Sequence, residues 1–204
     1  MTEIKVVGVV GAGQMGSGIA HVCALAGYEV LLHDIAADKV AESIRIIERN
    51  MSRQVVRGTI TDEAMKGAMG RIRAAADVVE IAQTDLAIES ATENEDIKKA
   101  IFKSLQPHLK PGTLLASNTS SISITRLASS TDRPERFIGL HFMNPVPLMN
   151  LVEVIRGIAT DAATYEVAVN FARSLGKRTT NAEDFPAFIV NRVLVPMINE
   201  AIYT

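Results

Sequence analysis

The 204-residue sequence predicts a doubly wound α/β fold with a mostly parallel sheet, and three observations carry that expectation. Short β-branched runs alternate with longer helical patterns, as βαβ units require. A glycine cluster, Gly11-Ala12-Gly13-Gln14-Met15-Gly16, separates the first such run from the first helical pattern. After Asp184 the periodicity changes to a wide apolar helical stripe, which marks a boundary.

Taken in order, Ile4 to Val10 is apolar and β-branched and reads as the first strand, followed by a helix over 14–26. A strand over 29–34 and a long amphipathic helix over 37–56 come next. The spacing predicts further strands near 85–89, 113–117 and 137–141, with helices near 62–69, 95–106 and 123–128. Asn144 to Pro147 reads as a rigid turn, and Leu151 to Ile155 as a strand that can return beside 137–141. From Asp161 to Leu175 the residues Val167, Val169, Phe171 and Leu175 suggest a helix ended by Gly176, with a strand over 177–181 after it. Residues 1–184 are therefore expected to form one α/β domain. Beyond them, Phe188, Val190, Val193, Leu194, Met197, Ile198 and Ile202 keep helical spacing, and Pro196 should kink that helix because it has no N–H to donate to the carbonyl of Arg192. The pattern reaches Thr204 without a capping residue, so residues 185–204 are expected to open an all-helical domain of which most is missing here.

Composition excludes several classes of function. A hydrophobic fraction of 48% with 22% charged residues and a formal net charge of −2 describes an ordinary globular chain. No basic surplus marks a nucleic-acid or anionic-membrane binder. No apolar run reaches the ~18 residues of a spanning helix. The single cysteine, Cys23, lies in an apolar helical stretch without a cysteine partner, which removes disulfides and cysteine-ligated zinc and fits a reducing, cytoplasmic setting. No metal site is expected.

The glycine cluster matches G-x-G-x-x-G between a strand and a helix, the context in which this pattern binds a dinucleotide. Gly11 permits the tight turn, Gly13 lets the backbone approach a pyrophosphate, and Gly16 lets helix and strand pack closely. Gln14 and Met15 complete the loop at the positive helix N-terminus. This is the Rossmann-type arrangement. Asp34 follows Gly16 by 18 residues and can accept hydrogen bonds from the adenosine ribose, while repelling a 2'-phosphate. NAD is thus expected over NADP, although His33 and Lys39 stand nearby. Glu93 and Lys98 flank the start of a helix at the carboxyl edge of the sheet, where such folds bind ligands. Glu89, Glu95 and Asp96 read as solvated or capping charges.

His141 and Glu153 stand 12 residues apart across the proline turn. If the two strands pair, Glu153 can hold one imidazole nitrogen and leave the other to take a proton as a general base. A lone histidine at a strand end is otherwise more often structural.

The glycine loop, Asp34, Ser117-Asn118-Thr119-Ser120-Ser121, the block Gly139 to Glu153 and the block Asp184 to Arg192 occur together and in order. With them the chain resembles the 3-hydroxyacyl-CoA dehydrogenase family, and more narrowly its bacterial 3-hydroxybutyryl-CoA branch. The resemblance implies hydride transfer between NAD and C3 of a 3-hydroxyacyl-CoA, short-chain such as 3-hydroxybutyryl-CoA. It implies His141 as base, Glu153 as its orienting partner, and Ser120 and Asn191 as hydrogen-bonding groups at the reacting oxygen or the imidazole. It further implies Asn144 beside nicotinamide and substrate, Glu93 and Lys98 on the cofactor, Arg53 and Arg57 near the coenzyme A phosphates, and a homodimer formed through the following helical domain. Two residues depart from the family pattern: Ala187 replaces a usual Gly and Met143 a common Phe. A methyl at Ala187 fits easily only if φ there is negative.

Two other readings compete. Related β-hydroxyacid dehydrogenases are thought to use a lysine base, and no lysine lies between Lys110 and Lys177. A non-catalytic, crystallin-like dinucleotide binder would have no need to keep His141, Glu153, Ser120 and Asn191 together.

Overall fold

A computed structural model describes residues 3–204. Eight strands form one sheet in the order β3-β2-β1-β4-β5-β6-β7-β8. The strands are β1 (Val6–Val10), β2 (Glu29–His33), β3 (Ile72–Ala74), β4 (Leu86–Glu89), β5 (Leu114–Ser117), β6 (Phe137–Phe142), β7 (Leu151–Arg156) and β8 (Arg178–Glu183). From β3 through β6 all neighbours are parallel; β7 runs antiparallel to β6, and β8 is parallel to β7. Buried on both faces, β1, β4, β5 and β6 read as continuous apolar runs rather than alternating ones.

The helices are α1 (Gln14–Leu25), α2 (Ala37–Val56), α3 (Asp62–Arg71), α4 (Val78–Ala82), α5 (Glu95–Leu105), α6 (Ile124–Ala128), α7 (Ala162–Ser174) and α8 (Val190–Tyr203). One core cluster packs α1, α2 and α7 on one sheet face, through residues such as Ile19, Ile47 and Phe171. The other joins Phe102 and Leu105 of α5 to Leu127 of α6 and Phe137 of β6. Cys23 is wholly buried in the first cluster, where burial pushes its thiol pKa far up, so it acts as a small apolar residue. Because β1 pairs with both β2 and β4, the strand order reverses beside it, and the crevice at the carboxyl ends of β1 and β4 is where such a sheet holds ligands.

Two elements escape the sequence periodicity. Strand β3 has three residues at the sheet edge and only Ile72 is buried. Helix α4 has five, and its start is set by Asp77, whose carboxylate accepts from the N–H groups of Val79 and Glu80. Neither is long enough to display a period.

Helix α8 continues through Pro196, and none of its residues is buried; Val193, Val195, Met197 and Ile202 stand exposed. The segment that enters it does not meet the condition under which a methyl at Ala187 fits easily. Ala187 has φ 66 and Phe188 φ 49, so both occupy the left-handed region rather than negative φ. A Cβ in that region costs roughly 1–2 kcal/mol, less the extra chain entropy that glycine carries in the unfolded state. Ala187→Gly should therefore stabilise the protein by about 0.5–1 kcal/mol, read as a higher urea midpoint at constant slope. An unchanged or lowered midpoint would refute strain at this position.

Candidate active site

The glycine loop sits at the reversal point. Gly11 has φ 103, and a Cβ on it would lie 2.6 Å from the carbonyl oxygen of Ser90, so the close approach of the loop to β4 requires glycine. A Cβ on Gly16 would lie 1.8 Å from the carbonyl oxygen of Gly11, whereas Gly13 faces open space. No side chain caps the N-terminus of α1 and no acidic residue stands in its first turn, which leaves its N–H groups and positive dipole end available to an anion.

Beside the loop a cavity of about 680 Å³ is lined by Gly11, Gly13, Asp34, Ile35, Ser90 and Ile97 among others. Ile35 is fully exposed and Ile97 half so, an apolar rim unusual for a surface and suited to a flat base. The Asp34 carboxylate accepts from the backbone N–H of Ala12 at 2.8 Å and of Ala36 at 3.1 Å. A carboxylate has about four lone-pair positions, so capacity remains for ribose hydroxyls. Ser90 Oγ is buried in this wall with no hydrogen-bond partner among the described residues. Sequence reasoning missed Ser90 because it belongs to no motif. Glycine clearance, an uncapped helix, a half-committed carboxylate and an orphaned hydroxyl together fit a dinucleotide.

His141 and Glu153 stand directly opposite each other on β6 and β7. Nδ1 of His141 lies 2.7 Å from Oε2 of Glu153. A carboxylate only accepts, so Nδ1 donates, and in the neutral imidazole Nε2 is then the acceptor, with no hydrogen bond to it among the described residues. Glu153 is wholly buried, and its second oxygen accepts from the N–H groups of Ile189 at 3.0 Å and Val190 at 2.9 Å. Burial alone would raise the Glu153 pKa; the His141 bond and the two amides outweigh it and hold the carboxyl below its ordinary value. Asp184 behaves alike: burial is outweighed by Ser123 Oγ at 2.6 Å and the amides of Ile124 and Thr125.

Both folded-state values are depressed, so the unfolded chain takes up these protons first. The stability they supply is present above the unfolded carboxylate pKa of about 4 and is lost as pH falls through the lower folded values. The urea midpoint should accordingly drop between about pH 4.5 and pH 3, and Glu153→Gln should flatten that drop. An equally steep drop in the variant would remove Glu153 from this role.

Ser120 lies in the loop after β5, and its backbone oxygen accepts from Nδ2 of Asn191, in the first turn of α8, at 3.0 Å. Its hydroxyl and amide both face Oε1 of Glu93, at 3.0 and 2.8 Å. Lys98 is 1% exposed and binds both oxygens of Glu89 at 2.8 Å, with Oε2 of Glu93 at 3.6 Å. Its ammonium therefore faces Glu89 in the interior, and Glu93 stands between it and the loop. Glu89 itself is buried in that pair instead of solvated. Its neighbour in the charge run, Glu95, binds Lys99 and Arg126, whose hydrogen bonds lower its pKa to about 2.

Asn144 is exposed and lines a second cavity, of about 630 Å³, with Gln14, Gly18, Asn50 and Val146; Gly13 borders both cavities. Met15 packs partly against the first core cluster. Arg53 and Arg57 line a shallow groove on α2 together with Arg49, and none of the three makes an ion pair among the described residues. The site thus holds two hydrogen-bonded groups, His141 with Glu153 and Asn191 with Ser120 and Glu93, joined through the backbone of residues 189–191, and leaves the arginines on a separate helix face.

A doubly wound sheet with a glycine-loop crevice at its reversal point and a buried imidazole-carboxylate pair on β6 and β7 has the parts of a nicotinamide-dependent oxidoreductase. Residues 6–185 match the family model described as 3-hydroxyacyl-CoA dehydrogenase, NAD binding domain, and the chain belongs to that family. It is 60% identical over 201 residues to a 3-hydroxybutyryl-CoA dehydrogenase of Bradyrhizobium diazoefficiens, covering 98% of this chain and 69% of the relative. To the human mitochondrial hydroxyacyl-coenzyme A dehydrogenase it is 42% identical, covering 98% of this chain and 65% of that one. The crystal structure of (S)-3-hydroxybutyryl-CoA dehydrogenase from Ralstonia eutropha superposes with a TM-score of 0.95 at 42% identity, over 98% of this chain and 70% of that one.

Proposed function

We infer that the protein transfers a hydride reversibly between NAD and C3 of a 3-hydroxyacyl-CoA, with short chains such as 3-hydroxybutyryl-CoA preferred. The observation that carries this reading is the 2.7 Å bond between His141 Nδ1 and Glu153 Oε2, which orients the imidazole and leaves Nε2 to act as the base. Bound NAD supplies the hydride acceptor. Nε2 of His141 takes the C3 hydroxyl proton, and Glu153 stabilises the imidazolium that forms. Ser120 and Asn191 hold the reacting oxygen, and in the reverse direction the imidazolium returns its proton to that oxygen. Gly11, Gly13, Gln14, Met15 and Gly16 cradle the pyrophosphate, and Asp34 holds the adenosine ribose. Glu93, Lys98 and Asn144 serve the nicotinamide half, and Arg53 and Arg57, with Arg49 beside them, meet the coenzyme A phosphates.

Residues 1–184 form the NAD-binding domain on this reading, and residues 185–204 begin a helical unit that covers the apolar face of α8 and pairs two subunits. The cytoplasm is the expected setting. Mixing the protein with NADH and acetoacetyl-CoA and following the absorbance of the reduced nicotinamide tests the activity. An unchanged signal over hours at saturating substrate would sink the proposal.

A further inference from the structure

Oε1 of Glu93 faces five donors: Thr119 Oγ1 at 2.6 Å, Ser120 N at 2.8 Å, Ser120 Oγ at 3.0 Å, Ser121 N at 3.1 Å and Ser121 Oγ at 3.2 Å. Thr119 Oγ1 also accepts from the amides of Ser121 and Ile122, so its own hydrogen is free for Glu93. One carboxylate oxygen thus gathers three consecutive residues. A neutral acceptor would hold them less well, since hydrogen bonds to an ionised group are roughly twice as strong.

What holds Glu93 is equally specific. Its other oxygen faces the buried ammonium of Lys98, and that ammonium is fixed by two bonds to Glu89. Glu89 is locked in turn by Ser117 Oγ at 2.6 Å and the Ala91 amide at 2.7 Å. Ser117 ends β5, the strand from which the 118–121 loop departs. The carboxyl ends of β4 and β5 are therefore tied together through Glu89, Lys98 and Glu93, and the loop closes back onto the last member. On the far side Asn191 grips the Ser120 carbonyl. Burial pushes the Glu93 carboxyl up, but Thr119, Ser120 and the Lys98 charge outweigh it and keep the group ionised at neutral pH.

We propose that Glu93 is the positioning residue of the Ser120 loop: it fixes where the Ser120 hydroxyl stands, and Lys98 acts through it rather than on the cofactor directly. The inference rests on the reading of Ser120 as the group that holds the reacting oxygen. It separates two roles for the carboxylate. As an anchor it needs an acceptor oxygen; as a direct partner of the cofactor it would need its charge and its exposure.

Glu93→Ala and Glu93→Gln decide between them, since the amide oxygen of Gln can accept from the same donors. Glu93→Ala should lower kcat for acetoacetyl-CoA reduction about 10- to 100-fold, as a small misplacement of a reacting group does, with the Kd for NADH changed little. Glu93→Gln, whose neutral oxygen still accepts from these donors but holds them less tightly, should lose less of the rate than Glu93→Ala. Amide hydrogen exchange at Ser120 and Ser121 should quicken by about tenfold or more in Glu93→Ala and by less in Glu93→Gln. Unchanged exchange in Glu93→Ala overturns the anchor, as does faster exchange with an unaltered kcat. Equal losses of NADH affinity in both variants overturn it too, assigning the side chain to cofactor contact. A wild-type protein inert toward acetoacetyl-CoA would remove the dehydrogenase reading instead, while the exchange measurement still decides whether Glu93 holds the loop.

Discussion

Replacing His141 with Gln should lower kcat for acetoacetyl-CoA reduction by about 10²- to 10⁴-fold, the contribution of a positioned general acid or base, while NADH binds almost as before. The separation follows from geometry. His141 is a buried residue of β6 whose imidazole is held by Glu153 and packed near Phe188, ring centroids 6.1 Å apart. The cofactor cavity is lined instead by Gly11, Gly13, Asp34 and Ile35. Gln can keep a hydrogen bond to Glu153 but offers no nitrogen that takes a proton near neutral pH. Fluorescence titration with NADH, beside steady-state rates, measures both quantities. Parallel loss of affinity and rate would mean that the histidine supports structure and does not transfer a proton.

Gly16→Ala and Gly13→Ala should fail for different reasons. The new methyl on residue 16 would meet the Gly11 carbonyl oxygen at 1.8 Å, a backbone atom that cannot swing aside. Forcing α1 away from the loop should destabilise the protein by about 1–3 kcal/mol and weaken NADH binding by tenfold or more, about 1.4 kcal/mol. On residue 13 the methyl meets nothing within 4 Å and points toward the cavities that residue borders. That variant should unfold at the wild-type urea concentration and still bind NADH poorly. Equal destabilisation of the two would refute the assignment of residue 16 to packing and residue 13 to ligand approach.

Much of this arrangement was legible in residue order. The central parallel strands β1, β4 and β5 announce themselves because burial on both faces makes them largely apolar, and the longer helices α1, α2, α5 and α7 because each buries one face. The 12-residue interval between His141 and Glu153 becomes a cross-strand pair once the proline turn brings β7 back along β6. Other features depend on what long-range packing does to single residues. Nothing local distinguishes Glu89, buried against Lys98, from Glu95, which binds Lys99 and Arg126 at the surface. Ala187 carries no mark of its left-handed backbone, because that conformation is imposed where the chain turns from β8 into α8. The Ser90 hydroxyl and Arg49, neither with a partner among the described residues, are visible only after the end of β4 and the α2 face exist in space.

Glu153 has two claimants: one oxygen holds His141, the other the amides of Ile189 and Val190. Two processes that share one carboxylate are thermodynamically linked, and the linkage is reciprocal. Protonating the imidazole strengthens its hold on Glu153 and so shifts the balance at the amides. A shift of those amides, in turn, moves the carboxylate that aims the imidazole. The aim of the His141 ring is in this sense a reading of how the first turn of α8 is seated.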